Sequence, residues 1–355
     1  MPPMATTPPL PARGWAASAA DAPLAPITFE RRAPRDGDVV IDIDYCGICH
    51  SDVHTVRNEW HGTAYPCLPG HEIVGRVREV GPGVIDFKPG DVVGVGCLVD
   101  SCRECPSCRR GLEQYCVRGA TQTYNWPDPD FDRRTFGGYS TTIVVQERFV
   151  LRVPETLDPA AAAPILCAGI TTWSPLRKFG AGPGVHVGVA GFGGLGLMAI
   201  KLARALGAEV TAITRSPEKG EHAKAAGAHD VVISTEKDDL RRARMSLDLI
   251  IDTIPVHHEL NPLLKLLRLD GNLVLVGAIE PFDEGLDARL LYLRRSITAS
   301  AIGGLPETQE LLDFCGEHGI VADIETIPME RVNSAYDEIA AGKIDFRYVI
   351  DMATL

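Results

Sequence analysis

Four cysteines fall within fifteen residues, as Cys102-x2-Cys105-x2-Cys108-x7-Cys116. The segment is polar and too short to be core, so burial gives no reason for thiols to recur at these intervals. Four soft thiolates suit a closed tetrahedral zinc site with no position left for substrate. An iron–sulfur cluster, which also takes four thiolates, is the alternative. A second set is dispersed: Cys49-His50-Ser51-Asp52-x-His54, Gly70-His71-Glu72-x-x-Gly75 and, far downstream, Cys167. Singly, each His or Cys is more often a packed residue than a ligand, so these parts acquire meaning only together.

A third motif, Gly191-Phe192-Gly193-Gly194-Leu195-Gly196, has the G-x-G-x-x-G spacing. It follows an apolar run, Val185–Ala190, and opens a helical pattern with Leu195, Met198, Ala199, Leu202 and Leu206 on one face and Gly207 placed to end it. In that context backbone N–H groups and a helix N-terminus cradle a pyrophosphate. At the end of the next strand an acidic residue would bind a ribose 2′-hydroxyl; here stand Thr214, Arg215 and Ser216, with Lys219 close by. Neutral and basic groups there point to a 2′-phosphate, hence NADP(H).

The elements that must position these residues change character along the chain. From about Val39 to Val150 the sequence has short β-prone runs broken by Gly and Pro (Val39–Tyr45, Glu72–Val80, Val92–Gly96, Thr141–Val150), which predicts a β-rich domain. After Pro164, strands at Val185–Ala190, Glu209–Thr214, Asp230–Ser234, Leu247–Thr253 and Leu273–Gly277 alternate with amphipathic helices, the pattern of a parallel sheet. Beyond Leu305 two or three helices and a strand near Tyr348–Asp351 are expected, returning to the first domain. The first 25 residues are Ala/Pro-rich.

The 355 residues exceed what one core usually supports, so two domains are expected. Lys and Arg number 35 against 47 Asp and Glu, a net charge of -12, which disfavours nucleic acid or an anionic membrane and favours a small ligand. Eight of the ten cysteines lie between Cys46 and Cys116; in a chain whose Met1–Leu24 lacks the basic start and apolar run of a signal peptide, such clustering reads as metal or catalysis, and the location as cytoplasmic.

Gly-x-Cys-His-Ser-Asp, Gly-His-Glu-x-x-Gly, the four-cysteine lobe and the Gly-rich strand-turn-helix occur in one order from about Val39 to Ile350. Together they resemble the zinc-dependent medium-chain alcohol dehydrogenases. Tyr-Cys-Gly-Ile-Cys-His-Ser-Asp and Ile-Gly-Gly-Leu-Pro-Glu-Thr-Gln-Glu narrow the resemblance to the cinnamyl-alcohol-dehydrogenase-like branch. The resemblance implies an α/β architecture with a GroES-like catalytic domain (1–167 and 305–355) and a Rossmann nucleotide-binding domain (168–304). It implies two zinc ions, one catalytic and one structural. Cys49, His71 and Cys167 would hold the catalytic zinc, Glu72 would be an alternate ligand, and Asp52 would partner the His71 imidazole; Cys46 is assigned to packing. Ser51 and His54 would relay the proton, and His50 would face the pyrophosphate. Thr171, Thr253, Val276 and Ser300 would meet the cofactor, and Arg347 its phosphates. Trp60, Cys97, Ala301 and Ile302 would line an apolar slot for an aromatic or medium aliphatic chain.

The implied reaction is hydride transfer between NADP(H) and a primary alcohol or aldehyde, in a homodimer. Two other readings are a polyol or sugar dehydrogenase of the same superfamily, which tends to carry Glu in place of the downstream Cys, and a non-catalytic zinc and dinucleotide protein. Cys167 and Trp60 speak against the first; the intact set Cys49, Ser51, His54, His71 and Cys167 speaks against the second.

Overall fold

The computed structural model describes residues 8–128, 131–277, 285–342 and 344–355. The chain divides into two compact units, Met1–Cys167 with Gly304–Leu355, and Ala168–Gly303. In the first unit, β1 (Leu10–Ala16) and β2 (Ala25–Arg31) pair as an antiparallel hairpin. β1 lies in the Ala/Pro-rich start, where neither propensity nor alternation marks a strand. Neighbours impose it: Trp15 N donates to Tyr139 O and Ala17 N to Cys67 O, both at 2.9 Å.

A seven-stranded sheet follows. β3 (Asp38–Gly47), β4 (Ile73–Val80) and β5 (Val92–Val95) are neighbours, and the small antiparallel pair β6 (Leu98–Asp100) and β7 (Thr121–Gln122) lies apart from them. The run expected as one strand over Thr141–Val150 is divided: β8 (Thr142–Gln146) pairs β3, a turn occupies Glu147–Phe149, and β9 (Leu151–Arg152) pairs β5. The turn breaks the run because Phe149 must bury its ring, at 1% exposure, in the core. Helix α1 (His50–Val56) leaves the end of β3, and α2 (Pro159–Ala162), capped by Asp158, leads toward Cys167.

Register at the end of β3 decides what converges there. Cys46 pairs with Ile73 of β4, and Ile73 pairs with Val95 of β5. Residues just beyond these ends, Cys49, His71 and Cys97, therefore leave the sheet at one edge.

The second unit begins with α3 (Ala168–Lys178). Its strands β10 (His186–Ala190), β11 (Glu209–Thr214), β12 (Asp230–Ile233), β13 (Leu247–Asp252), β14 (Leu267–Leu275) and β15 (Ser296–Ala299) are all parallel, in the order β12-β11-β10-β13-β14-β15. This is the doubly wound order, in which direction reverses between β10 and β13. The central strands are apolar on both faces, as helix-covered parallel strands must be: Val187, Val189, Leu249, Ile250 and Ile251 are at most 1% exposed. α4 (Gly194–Ala205) buries Gly196–Ile200 continuously, a wider face than the expected stripe, because α3 packs on it as well as the sheet. Gly207, at φ 88°, ends it. α5 (Pro217–Ala225), α6 (Lys237–Arg242) and α7 (Asn261–Leu266) complete the crossovers.

From Gly304 the chain rejoins the first unit. α8 (Leu305–His318), β16 (Ile324–Pro328), α9 (Val332–Ala340) and β17 (Arg347–Asp351) follow, and β17 inserts between β16 and β3. Among the described residues no helix is long and apolar enough to cross a membrane.

Candidate active site and metal centres

Cys49 caps α1, and the Asp52 carboxylate three residues on turns back to accept its N–H at 2.9 Å. The same carboxylate, fully buried, accepts Gly70 N at 3.2 Å and faces His71 Nδ1 at 3.1 Å. One side chain thus ties the two ligand-bearing segments together and commits Nδ1 of His71 as a donor. The other ring nitrogen, Nε2, lies 3.2 Å from Cys167 Sγ. Cys167 follows a tight turn, Ala163–Leu166, that lies close across Gly96: a Cβ there would meet Leu166 O at 3.1 Å, tighter than ordinary contact.

Ligand atoms of Cys49, His71, Glu72 and Cys167 lie within 4.8 Å of one another, all buried. Cys49 Sγ and Cys167 Sγ are 3.8 Å apart, too far for a disulfide. Two sulfurs about 2.3 Å from one tetrahedral ion would stand about 3.8 Å apart, so the pair fits a shared metal. Of the two thiols Cys49 ionises first, because Cys167 donates to it and Arg347 and His71 add positive charge. Among the described residues Glu72 has no hydrogen-bond partner on either carboxylate oxygen; Arg347 NH1 stands 3.7 Å away. Burial pushes this carboxyl up to about 7, with Arg347 opposing. Its place depends on Gly47, where a Cβ would lie 2.0 Å from Glu72 Oε2. A buried carboxylate with idle lone pairs beside two thiols suits an additional metal ligand.

Cys46, by contrast, packs against backbone: its Sγ lies 3.7 Å from Gly47 O and within 2.8 Å of where Cβ atoms at Gly70 and Gly138 would stand. Cys102, Cys105, Cys108 and Cys116 form a second cluster with atoms within 4.8 Å. Sulfur separations of 3.9 Å (Cys102–Cys108) and 3.5 Å (Cys105–Cys108) fit one tetrahedral ion. Backbone N–H groups of Cys108 and Cys102 point at Cys105 and Cys116 sulfurs, each at 3.5 Å. Donation from the Cys108 and Val117 backbone, led by Cys108, lowers Cys105 to about 6, favouring the thiolate a metal needs.

Around the first cluster, Ser51 Oγ is 3.5 Å from Cys49 Sγ. The His50 and His54 rings stack at 4.4 Å with 1° between planes, and His54 stacks on Trp60 at 5.1 Å. His54 Nδ1 pairs with Glu59, which sequence reasoning missed; the contact is made where Asn58, at φ 56°, turns the chain back after α1. Also missed is Tyr124, whose ring stacks on His71 at 5.7 Å. Arg347, expected near cofactor phosphates, is buried in the first unit and donates to Ile48 O at 3.1 Å. Cys97 Sγ faces Leu166 O at 3.9 Å, and Trp60 is 42% exposed.

In the second unit the glycine turn links β10 to α4. Gly191 has φ 92°, and a Cβ there would strike Thr253 Oγ1 at 2.7 Å; at Gly196 it would strike Gly191 O at 2.4 Å. Among the described residues, its chain neighbours aside, nothing stands within 4 Å of where a Cβ at Gly193 would be, leaving open space beside the start of α4, formed by Gly194 and Leu195, where a pyrophosphate can approach backbone N–H groups. Thr214 closes β11, Arg215 is exposed, and Ser216 caps α5 by accepting Lys219 N at 3.3 Å. Thr253, Val276 and Ser300 lie just past the carboxyl ends of β13, β14 and β15; Ala301 and Ile302 follow, Ile302 at φ 39°. Thr171 is buried in α3.

Two family models match the chain: the alcohol dehydrogenase GroES-like domain over residues 35–155, and the zinc-binding dehydrogenase over 194–317. The aldehyde reductase YahK of Escherichia coli is 53% identical over 341 residues, covering 96% of this chain and 97% of that one. A probable cinnamyl alcohol dehydrogenase of Arabidopsis thaliana is 47% identical over 343 residues, covering 96% and 94%. Among solved structures, a cinnamyl alcohol dehydrogenase of Sorghum bicolor superposes with a TM-score of 0.93 at 43% identity, covering 97% and 98%. The CAD of Helicobacter pylori complexed with NADP(H) gives 0.89 at 42% identity, covering 98% and 99%. With these matches spanning both units, the chain belongs to the zinc-dependent medium-chain alcohol dehydrogenases, in their cinnamyl-alcohol-dehydrogenase-like branch.

Proposed function

We propose that this enzyme reduces aromatic or medium-chain aliphatic aldehydes with NADPH, and runs the reverse oxidation of the primary alcohols. The observation that carries the reading is the buried convergence of Cys49, His71 and Cys167 in a chain that also carries an open glycine turn with no acidic residue at Thr214–Ser216. A zinc ion held by Cys49, His71 and Cys167 supplies Lewis acidity toward a carbonyl oxygen, and the nicotinamide supplies hydride.

The chain's own residues do the rest. Two thiolates and a neutral imidazole balance a divalent charge, and Asp52 fixes which His71 nitrogen is free to bind. Glu72 is an alternate ligand, held in reserve by Arg347. The Ser51 hydroxyl, beside Cys49, gives up the proton that the reduced oxygen needs, and His54, paired with Glu59, returns one from solvent. Cys102, Cys105, Cys108 and Cys116 hold a structural zinc. His50, Thr171, Gly191, Gly193, Gly194, Leu195, Gly196, Thr253, Val276, Ser300 and Arg347 are assigned to the dinucleotide, with Thr214, Arg215, Ser216 and Lys219 at its 2′-phosphate. The first unit is the catalytic domain and the second the NADP domain. Ten free cysteines arranged largely as metal clusters support a cytoplasmic location. The family, and the place of β15 at the edge of its sheet among the described residues, support a homodimer.

The test is a panel of benzaldehyde, cinnamaldehyde and aliphatic aldehydes assayed with NADPH and zinc-replete enzyme. Turnover of aromatic and medium-chain members is expected; consumption of NADPH with none of them would overturn the reading.

A further inference from the structure

Asp252 ends β13, the strand beside β10 at the point where the sheet order reverses, and its carboxylate is fully buried. A carboxylate buried there needs partners. It accepts Ile254 N at 3.1 Å, and His258 Nε2 stands 2.7 Å from its second oxygen. The other ring nitrogen of His258, Nδ1, faces Val256 O at 2.8 Å. A carbonyl and a carboxylate both accept, whereas a neutral imidazole has a single N–H. Both bonds together require His258 as an imidazolium.

The side chain therefore closes residues 252–258 into a loop pinned at both ends by one cation. That loop is part of the dinucleotide crevice. Thr253 donates its hydroxyl to Ala190 O at 2.9 Å, and Thr253 Oγ1 and Ile254 stand 2.7 and 3.1 Å from where a Cβ at Gly191 would be. On the other side, a Cβ at Gly277 would meet Thr253 O at 2.5 Å, and Asp252 O accepts both Val276 N and Gly277 N, at 2.9 and 3.1 Å. The loop is thus wedged between the glycine turn and the end of β14. In a doubly wound sheet the dinucleotide lies across this crevice, one half over the β10–β12 side and the other over the β13–β15 side.

We propose that His258, held by Asp252 and Val256, is a positioning residue for the nicotinamide half of the cofactor, acting by fixing the 253–258 loop against the glycine turn. This rests on the NADP(H) reading above. The adenosine half, which by the same rule would belong to the β10–β12 side, is outside its reach.

The test titrates NADPH by fluorescence, and adenosine 2′,5′-bisphosphate by calorimetry, into zinc-loaded enzyme and its His258→Gln, His258→Asn and His258→Ala variants. Glutamine carries a donor at the reach of Nε2 and keeps the Asp252 bond; asparagine does not reach it. Loss of that charge-assisted bond should weaken NADPH about tenfold in the Asn and Ala variants, with Gln close to unmodified enzyme. The bisphosphate should bind all four alike. If Ala fails to fold, the Gln and Asn pair still decides. Equal NADPH affinity in Gln and Asn variants, or parallel loss of the bisphosphate, overturns the proposal. An unmodified enzyme that binds bisphosphate or NADPH not at all overturns the NADP(H) reading instead. Nitrogen-15 spectra of histidine-labelled protein should show the His258 Nε2 that faces Asp252 carrying a proton; a ring whose Nε2 is bare would also overturn the proposal.

Discussion

Nδ1 of His71 and Oδ1 of Asp52 are 3.1 Å apart, and that single contact determines which nitrogen of the imidazole faces Cys49 and Cys167. Asp52 also accepts from Cys49 N and Gly70 N, so one carboxylate ties both ligand-bearing segments together. Asp52→Asn should weaken catalytic zinc about ten- to a hundredfold, read by competition with a chromophoric chelator.

Elemental analysis should find about two zinc ions per chain. Cys49→Ala should lose one and nearly all turnover. Cys46→Ala, which removes a thiol packed against Gly70 and Gly138, should keep both. Loss of catalytic metal from the Cys46 variant would reverse the ligand assignment.

Ser51→Ala should lower turnover about a hundredfold or more with cofactor affinity nearly intact, as expected when a proton donor is removed. His54→Gln should cost less, since a water molecule can take over its part of the relay. Normal turnover in the Ser51 variant would remove the relay.

Arg215→Ala with Thr214→Asp should weaken NADPH about ten- to a hundredfold while NADH changes little, since a guanidinium bond to phosphate is lost and a repelling carboxylate gained. Comparable efficiency with both cofactors in unmodified enzyme would contradict the assignment.

Thiol chemistry offers a check outside the site. Burial pushes Cys67 and Cys315 up to about 12, and neither is more than 2% exposed. A thiol of that acidity is about 0.1% thiolate at pH 9, so both should resist iodoacetamide in the folded enzyme between pH 7 and 9 and react only after denaturation. Peptide mass spectrometry reads the outcome; modification of either in native protein would show that its surroundings open.

Much of this was legible because the chemistry is written locally. The four-cysteine spacing, the Cys49-His50-Ser51-Asp52 run and the glycine turn each sit within one short segment, and the apolar strands of the second unit announce a helix-covered sheet. What stayed hidden is made by how the backbone turns and pairs, which residue spacing alone does not announce. β1 contains Pro11 and Gly14 and becomes a strand through pairing with β2 and Tyr139. Glu59 reaches His54 only because the chain reverses at Asn58. His258 reads as a polar loop residue until Asp252 is found buried beside it.

The insertion of β17 between β16 and β3 has a consequence for biosynthesis. Tyr45, Cys46 and Gly47 pair on that side only with Val349–Asp351, some three hundred positions later in translation. The nucleotide unit is contiguous and complete at Gly303, so it can fold while the ribosome is still adding the segment that closes the metal-bearing sheet. Until then the end of β3 that leads into Cys49 offers unpaired backbone groups to any passing strand. A nonsense mutation after Gly303 would therefore release a chain with an intact cofactor fold and a sticky open edge, a species for chaperones and proteases rather than a partly active enzyme.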